Sequence, residues 1–231
     1  MISIIIPAWN EEKFLPRLLE CIKSQTYDNY EVIVADAGST DKTKSIAEKA
    51  GCKVVKGGMP GPGRNNGAKA AKGELLIFLD ADCTIEKDFL KDAIEEFKWR
   101  NLDVCGVYLT PDVKNIRNFF FLGSFNFWIW ITQSFYPNAA ASGIICKKPL
   151  HEKINGFDET VILSEDMDYV NRAGKLGKFR ILIKPKLIFS MRRYEKAGMK
   201  TGCNLLLSVF YRAFFGEIRK DVFKYNLKNR K

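Results

Sequence analysis

Two carboxylates one residue apart, Asp80 and Asp82, follow an apolar run from Leu75 to Leu79. No polar position interrupts the run and Gly73 bounds it upstream, so it reads as a strand buried on both faces. The two acids therefore emerge at the strand's carboxyl end. Ligands of open α/β sheets bind outside that end, and paired oxygen donors can hold one divalent cation whose charge offsets that of phosphate. Just upstream, the stretch from Gly61 supplies a Gly/Pro-rich turn and a small-residue helix. Further along, Ser164-Glu165-Asp166-Met167-Asp168 puts three acids in the first turn of another helix, where the dipole favours negative charge.

The elements that must position these residues follow a repeating pattern. Ile2 to Ile6 reads as a central strand ending at Pro7, and Asn10-Glu11 begins a helix with Phe14, Leu15, Leu18, Leu19 and Ile22 on one face, ending near Gln25. Glu31 to Ala35 is a second strand, and the turn from Asp36 to Asp41 offers Ser39 or Thr40 as the cap of a helix closed by Gly51. Lys53 to Val55 is a third strand. Strand and helix alternating in units of about thirty residues indicate right-handed βαβ crossovers and a mostly parallel sheet. After Asp82, Thr84 is expected to cap a helix carrying Phe89, Leu90, Ala93, Ile94 and Phe97, and Val104 to Leu109 returns as a strand. Gly143 to Cys146 is a short strand, and Asn155 to Glu159 a turn with a buried aromatic. The helix from Ser164 buries Met167, Val170, Ala173 and Leu176, and strands at Phe179–Ile183 and Leu187–Phe189 follow.

The chain of 231 residues, 46% hydrophobic and 28% charged, is large enough for one domain with a sizeable core. Six scattered cysteines (21, 52, 83, 105, 146 and 203) form no Cys-x-x-Cys pair, which argues against a zinc site or a disulfide framework and for a reducing compartment. The strand-like start is too short and lacks the basic flank of an export signal, so a cytoplasmic location is expected. Net charge is +10, and from Lys196 to Lys231 nine Lys/Arg face two acids. Such a tail reads as a solvated face or a contact for anionic lipid rather than a nucleic-acid module, for which no recognition motif is present. Phe119 to Tyr136 is an uncharged run of eighteen residues, nine of them aromatic. Its Gly, Ser, Asn, Thr and Gln residues argue against a membrane span and for an acceptor wall or an interfacial helix.

Taken in order, Ser3-Ile4-Ile5-Ile6-Pro7-Ala8-Trp9-Asn10-Glu11-Glu12, the Asp36 turn, Arg64-Asn65, Asp80-Ala81-Asp82, Gly156-Phe157-Asp158-Glu159 and Glu165-Asp166 resemble glycosyltransferase family 2 over roughly residues 1–195. The resemblance implies the α/β GT-A fold, a Rossmann-like sheet flanked by helices, with a nucleotide-sugar half (1–110) and an acceptor half (111–195); the residues after it, 196–231, read as a basic amphipathic helical extension. It also implies an inverting transfer, of a hexosyl group by expectation, from a nucleoside-diphosphate sugar to a sugar or a polyprenyl-phosphate or other lipid-linked acceptor; the aromatic stretch and the basic tail add the expectation of peripheral attachment to the cytoplasmic face of a membrane.

Residue by residue, Pro7, Ala8, Asn10 and Glu12 match the loop that holds base and ribose, and Asp36 an acid that accepts from the nucleoside. Arg64 matches an arginine near the diphosphate. Asp80 and Asp82 match the Asp-x-Asp pair that binds Mg²⁺ or Mn²⁺, with Asp82 the direct ligand and Asp80 also near the ribose. Asp166 matches the catalytic base. The chain departs from the pattern twice. Ala37 stands where many members have a second aspartate, which leaves uridine against guanosine open. Ser190 stands where many carry a histidine, which gives Arg192 and Arg193 the leaving group's charge. The sole histidine, His151, reads as an ordinary surface residue. A sugar nucleotidyltransferase and a catalytically inactive nucleotide-sugar binder are the alternative readings.

Overall fold

The computed structural model describes residues 1–58, 60–192, 211 and 216–219. Its elements run β1 (Ile2–Ala8), α1 (Leu15–Lys23), β2 (Tyr30–Asp36), α2 (Thr43–Lys49), β3 (Lys53–Lys56), α3 (Pro60–Ala70), β4 (Leu75–Phe78), β5 (Thr84–Ile85), α4 (Phe89–Trp99), β6 (Val104–Pro111), α5 (Ile116–Thr132), β7 (Ile144–Lys147), α6 (Lys148–Lys153), α7 (Glu165–Leu176) and β8 (Phe179–Phe189). One eight-stranded sheet has the order β3-β2-β1-β4-β7-β6-β8-β5. The pairs β3·β2, β2·β1 and β1·β4 are parallel, as the alternating pattern predicts. Beyond β4 the sheet is mixed, because β7 runs antiparallel to both β4 and β6, while β6 and β8 are parallel.

The crossover from β1 to β2 leaves on one side of β1 and β4 lies on the other, so the sheet's switch point lies between β1 and β4. A crevice opens there at the carboxyl ends. Apolar side chains bury both faces: Ile2, Ile4 and Ile6 join one core cluster with α1 and α4, and Ile5, Leu76 and Phe78 another with α3 and α7. The approach of α3 to β1 is close enough to exclude a side chain. A Cβ on Gly67 would sit 2.4 Å from the Ile5 methyl.

Several local expectations are corrected. Helix α1 starts at Leu15 rather than at Asn10, because Asn10 takes a left-handed φ of 54° and Pro16 suits the first helical turn. Neither Ser39 nor Thr40 caps α2, whose cap is Lys42; the Ser39 hydroxyl binds Asp36 instead. Thr84 caps no helix: with Ile85 it forms β5 against β8, and α4 begins at Phe89. The last two predicted strands are one, broken only by a bulge at which pairing jumps from Val107–Leu182 to Leu109–Leu187. Buried Glu96 accepts the Ile183 and Lys184 N–H groups freed by that jump, at 3.0 and 2.9 Å. Leu176 is exposed, whereas Met167, Val170 and Ala173 are buried. Most of the 196–231 extension lies outside the described residues, but Ile218 bridges to Leu163 and Arg219 pairs with Asp158 at 2.9 Å.

His151 is not a surface residue. It is buried, with Nδ1 2.9 Å from the Tyr169 hydroxyl and its ring among Phe78, Phe157 and Tyr169. Burial, reinforced by Arg172 and Lys148, pushes the imidazole down to about 4. The unfolded chain takes up this proton below its ordinary value of about 6.5 while the native state resists it, so stability is intact above that pH and falls as pH drops towards 4. The loss amounts to roughly 3 kcal/mol at most. Urea midpoints measured across this window are expected to fall with acidity in the wild type and to run flatter in His151→Gln; equal slopes would contradict this assignment.

Candidate active site

Two loops build one side of the crevice at the switch point. The left-handed turn at Asn10 sends its backbone N–H to Ser39 Oγ at 2.9 Å, and its side-chain oxygen accepts the Thr40 N–H at 2.8 Å. Glu12 N–H donates to Asp41, and Glu12 Oε2 accepts from Lys42 N–H, each at 3.1 Å. Asn10 and Glu12 thus lash the loop after β1 to the loop after β2. Asp36, at the end of β2, accepts the N–H groups of Gly38 and Ser39 at 3.2 and 3.1 Å. Its carboxylate shapes its own turn, as such residues do where no ligand is needed. Pro7, Ala8, Glu11, Asp80 and Asp82 line a narrow cavity of about 50 Å³ at the switch point, with Trp9, Ala37, Gly58, Pro60 and Ala81. A separate recess of about 690 Å³, flanked by Lys69, Glu152, Asn155 and Arg172, contains neither Asp80, Asp82 nor Asp166.

Arg64, on α3, is the centre of the site's charge. It is 2% exposed, and its guanidinium donates to Asp80 at 2.9 Å and to Glu165 at 2.7 Å while lying 5.3 Å over the Phe157 ring. Burying a guanidinium is tolerable because two carboxylates compensate it. Its Nε is buried without a hydrogen bond. The neighbouring Asn65 fixes the frame: its amide donates to the Phe157 carbonyl and Glu159 at 2.9 Å, and accepts the Phe157 N–H at 2.8 Å. The sequence pair Arg64-Asn65 is therefore one clamp, joining α3 to the 155–159 turn and to the start of α7.

The third part hangs from a single loop. Asp80 N–H donates to Ser142 Oγ at 2.9 Å, and the next residue back, Ala141, donates its N–H to Asp166 Oδ2 at 2.8 Å. Ser164, in the left-handed conformation at φ 61°, turns the chain into α7 so that Glu165 points to Arg64 while Asp166 reaches Ala141. Asp168, the other acid of this turn, is paired with Arg172 at 2.7 Å. Asp166 is thereby tied to the same loop as Asp80, and both flanking acids are neutralised by arginines.

Arg192 closes the opposite side. Its Nη2 donates to both carboxylate oxygens of Glu11 at 2.7 and 2.9 Å, its Nε donates to Asp82 at 2.9 Å, and its guanidinium stacks 4.0 Å from the Phe14 ring centroid. Arg193 lies outside the described residues. Glu11, Glu165, Asn65 and Ser142 are structural members of the site that sequence reasoning did not single out as site residues. Glu11, Asn65 and Glu165 stood inside quoted motifs, but Ser142 carried no signal, since a serine becomes an anchor only through the fold.

Among the described residues no group of three or more His, Cys, Asp or Glu is placed to hold a metal. What is present is a pair of hard oxygen donors, Asp80 and Asp82, on one cavity wall. That set suits a cation bound through one or two carboxylates together with a substrate's phosphates, not a cage built by protein alone.

Solved structures share this fold. The Staphylococcus aureus TarS fragment 1–349 in complex with UDP-GlcNAc superposes with a TM-score of 0.67 at 23% identity, over 82% of this chain and 58% of that one. The Pyrobaculum calidifontis mannosyltransferase PcManGT, in complex with GDP-Man and Mn²⁺, gives 0.72 at 20% identity, over 92% and 63%. These likenesses establish the GT-A fold. In sequence, a Methanococcus voltae dolichyl N-acetyl-alpha-D-glucosaminyl phosphate 3-beta-D-2,3-diacetamido-2,3-dideoxy-beta-D-glucuronosyltransferase is 29% identical over 223 residues, 86% of this chain and 68% of the relative. S. aureus TarS, a poly(ribitol-phosphate) beta-N-acetylglucosaminyltransferase, is 39% identical over 101 residues, 39% of this chain but 18% of the relative. The match that covers the switch-point strands, the Asp80-Ala81-Asp82 turn and the loop leading to Ser142 is to Glycosyl transferase family 2, over residues 3–140, and with the frame described above it makes this chain a member of that family.

Proposed function

We propose that this chain is an inverting glycosyltransferase that moves a hexosyl group from a nucleoside-diphosphate sugar to a hydroxyl of a sugar or lipid-linked acceptor. The observation that carries the reading is the joint suspension of Asp80 and Asp166 from Ser142 and Ala141, two consecutive residues of one loop. It holds the acid expected beside the donor's phosphates and the acid expected beside the acceptor at a fixed separation.

In this reading the acceptor oxygen attacks the anomeric carbon from the face opposite the leaving group. Its proton passes to Asp166, and the bond from the anomeric carbon to the phosphate oxygen breaks, its electron pair leaving with the nucleoside diphosphate. Pro7 and Ala8 would form the nucleoside's wall, backed by the two loops that Asn10, Glu12 and Asp36 hold together. Asp82 and Asp80 would hold Mg²⁺ or Mn²⁺, which when bound supplies positive charge to the diphosphate. Arg192, paired with Asp82 at 2.9 Å, already places one positive charge there. Arg192 and Arg193 add charge for the leaving group, and Arg64 holds Asp80 and Glu165 in position behind it.

The names of relatives favour acceptors of the cell envelope or lipid-linked class: one acts on a dolichyl-phosphate-linked sugar and another on poly(ribitol-phosphate). A nucleotidyltransferase is less well supported, since Asp166 would then be held beside the site without an acceptor hydroxyl to serve.

The direct test is thermal stabilisation by a panel of UDP, GDP and their sugars, with and without Mn²⁺. One donor series is expected to raise the melting temperature, because a ligand at 100 times its Kd adds about 2.7 kcal/mol of stability. The Mn²⁺-dependent part should vanish in Asp82→Ala. No shift with any nucleotide, at millimolar ligand, would sink the donor-site assignment.

A further inference from the structure

Helix α5 is apolar on both sides: Leu122 and Ile129 are buried in the core, and a second set of large apolar side chains faces outward. Several polar side chains share the buried side: Asn126 brackets the edge of β6 by accepting the Leu109 N–H at 3.0 Å and donating to the Leu109 carbonyl at 2.8 Å. Asn118 and Thr132 are buried, and just past the helix end Gln133 accepts the Ile181 N–H at 3.1 Å. Other large apolar side chains turn the opposite way from Leu122 and Ile129. Phe119, Phe120, Phe127, Trp130, Ile131 and, beyond the helix, Phe135 are 50–75% exposed. They recur three, four and seven residues apart, so they share one face of a rod that 17 residues make about 25 Å long.

A water-facing helix surface ordinarily carries the charge and hides the aromatics. Here the one charged residue between Ile116 and Tyr136 is Arg117, preceded by Lys114. An apolar patch of this extent and continuity marks a contact surface. No helix among the described residues is long and apolar enough to cross a membrane, so the face suits a helix lying flat. Phe and Trp beside basic residues at one end fit the headgroup boundary, where aromatic rings sit and anionic lipid attracts Lys and Arg. A second copy is a poorer occupant, because two chains of net charge +10 repel whereas an anionic bilayer attracts.

We propose that the outer face of α5 docks this protein on the surface of an anionic phospholipid bilayer, with Phe119, Phe120, Phe127, Trp130 and Phe135 entering the headgroup region. The inference does not depend on Asp166 being the base. It gives the acceptor half of the molecule a fixed orientation to lipid.

The test is flotation of the full-length chain with vesicles of phosphatidylglycerol and phosphatidylcholine, and with phosphatidylcholine alone. Binding is expected to the first, weaker binding to the second, and weakening with salt. A Phe120→Glu/Trp130→Glu double variant should bind at least about ten-fold less, with its circular dichroism and nucleotide-induced thermal shift unchanged. Trp130→Phe should keep binding but lose most of the vesicle-induced blue shift in tryptophan emission. Absence of vesicle binding by the wild type, or binding that the double variant retains in full, overturns the proposal. So does a wild-type dimer in sedimentation that the double variant abolishes while neither form binds vesicles. Failure of every nucleotide to stabilise the protein would strike the donor site and leave this surface untouched.

Discussion

Asp166→Asn is expected to lower the turnover of a hydroxyl acceptor by about 10²–10⁴-fold, the usual worth of a positioned general base, with little change in donor binding. The geometry explains why the two quantities should separate. The asparagine carbonyl can still accept the Ala141 N–H that Asp166 Oδ2 accepts at 2.8 Å, so the loop carrying Ser142, and through it Asp80, keeps its place. What is lost is the capacity to take a proton, together with the second acceptor oxygen that receives the Met167 N–H at 2.8 Å. The neighbouring carboxylates are badly placed to substitute, since Glu165 is committed to Arg64 and Asp168 to Arg172. The measurement is kcat with the donor saturating, beside the nucleotide-induced thermal shift of the same variant. A rate within ten-fold of wild type on a hydroxyl acceptor would remove Asp166 from the base's role. The same result on a phosphate acceptor alone would instead identify an acceptor oxygen already ionised, which needs no base. A loss of donor binding equal to the loss of rate would make Asp166 a scaffold for the Ala141–Ser142 loop.

How much of this was legible beforehand divides by the range of the interaction. The parallel strands were readable because Ile4–Ile6 and Leu75–Leu79 are continuous apolar runs, and burial on both faces demands such runs whatever the rest of the chain does. The acids at the strand ends followed from the same argument. The turn after Asp36 was readable too, from its run of turn-forming residues, though not the carboxylate's bonds to the N–H groups two and three residues on. The helix starts failed where a distant partner outbid the local signal. Ser39 is a good cap by type, but its hydroxyl is drawn to Asp36 and Asn10, and Thr84 is taken by β8. His151 was misjudged for a related reason: no neighbour in sequence reveals that Phe157 and Tyr169 will enclose it. The partners of the arginines were the least legible of all. Arg64 reaches Glu165 across 101 positions and Arg192 reaches Glu11 across 181, and composition records only that the charges exist. The inward turn of Asn126 on α5 is likewise a property of packing, invisible in a run that reads as apolar all round.

Arg64→Met is expected to cost the fold about 3 kcal/mol, at the lower end of what breaking a buried ion pair costs. The methionine approximates the stem's volume but leaves Asp80 and Glu165 without their shared cation. Their side chains retain 23% and 16% exposure against 3% for Arg64, so water can take up part of the charge and the upper end of the range is out of reach. If the cost comes from stranded charge rather than lost packing, neutralising one acid should recover part of it: Arg64→Met/Glu165→Gln is expected to be more stable than Arg64→Met alone. Urea denaturation of the four members of that cycle measures the coupling directly. Arg64→Lys separates charge from shape. An ammonium restores one positive charge, but it cannot span Asp80 and Glu165 as the planar fork does, so stability should return in part while donor binding, which needs Asp80 and the start of α7 held together, stays weak. An Arg64→Met protein as stable as wild type would mean that the guanidinium contributes nothing to the frame, and the two acids would then need another explanation for their placement on either side of it.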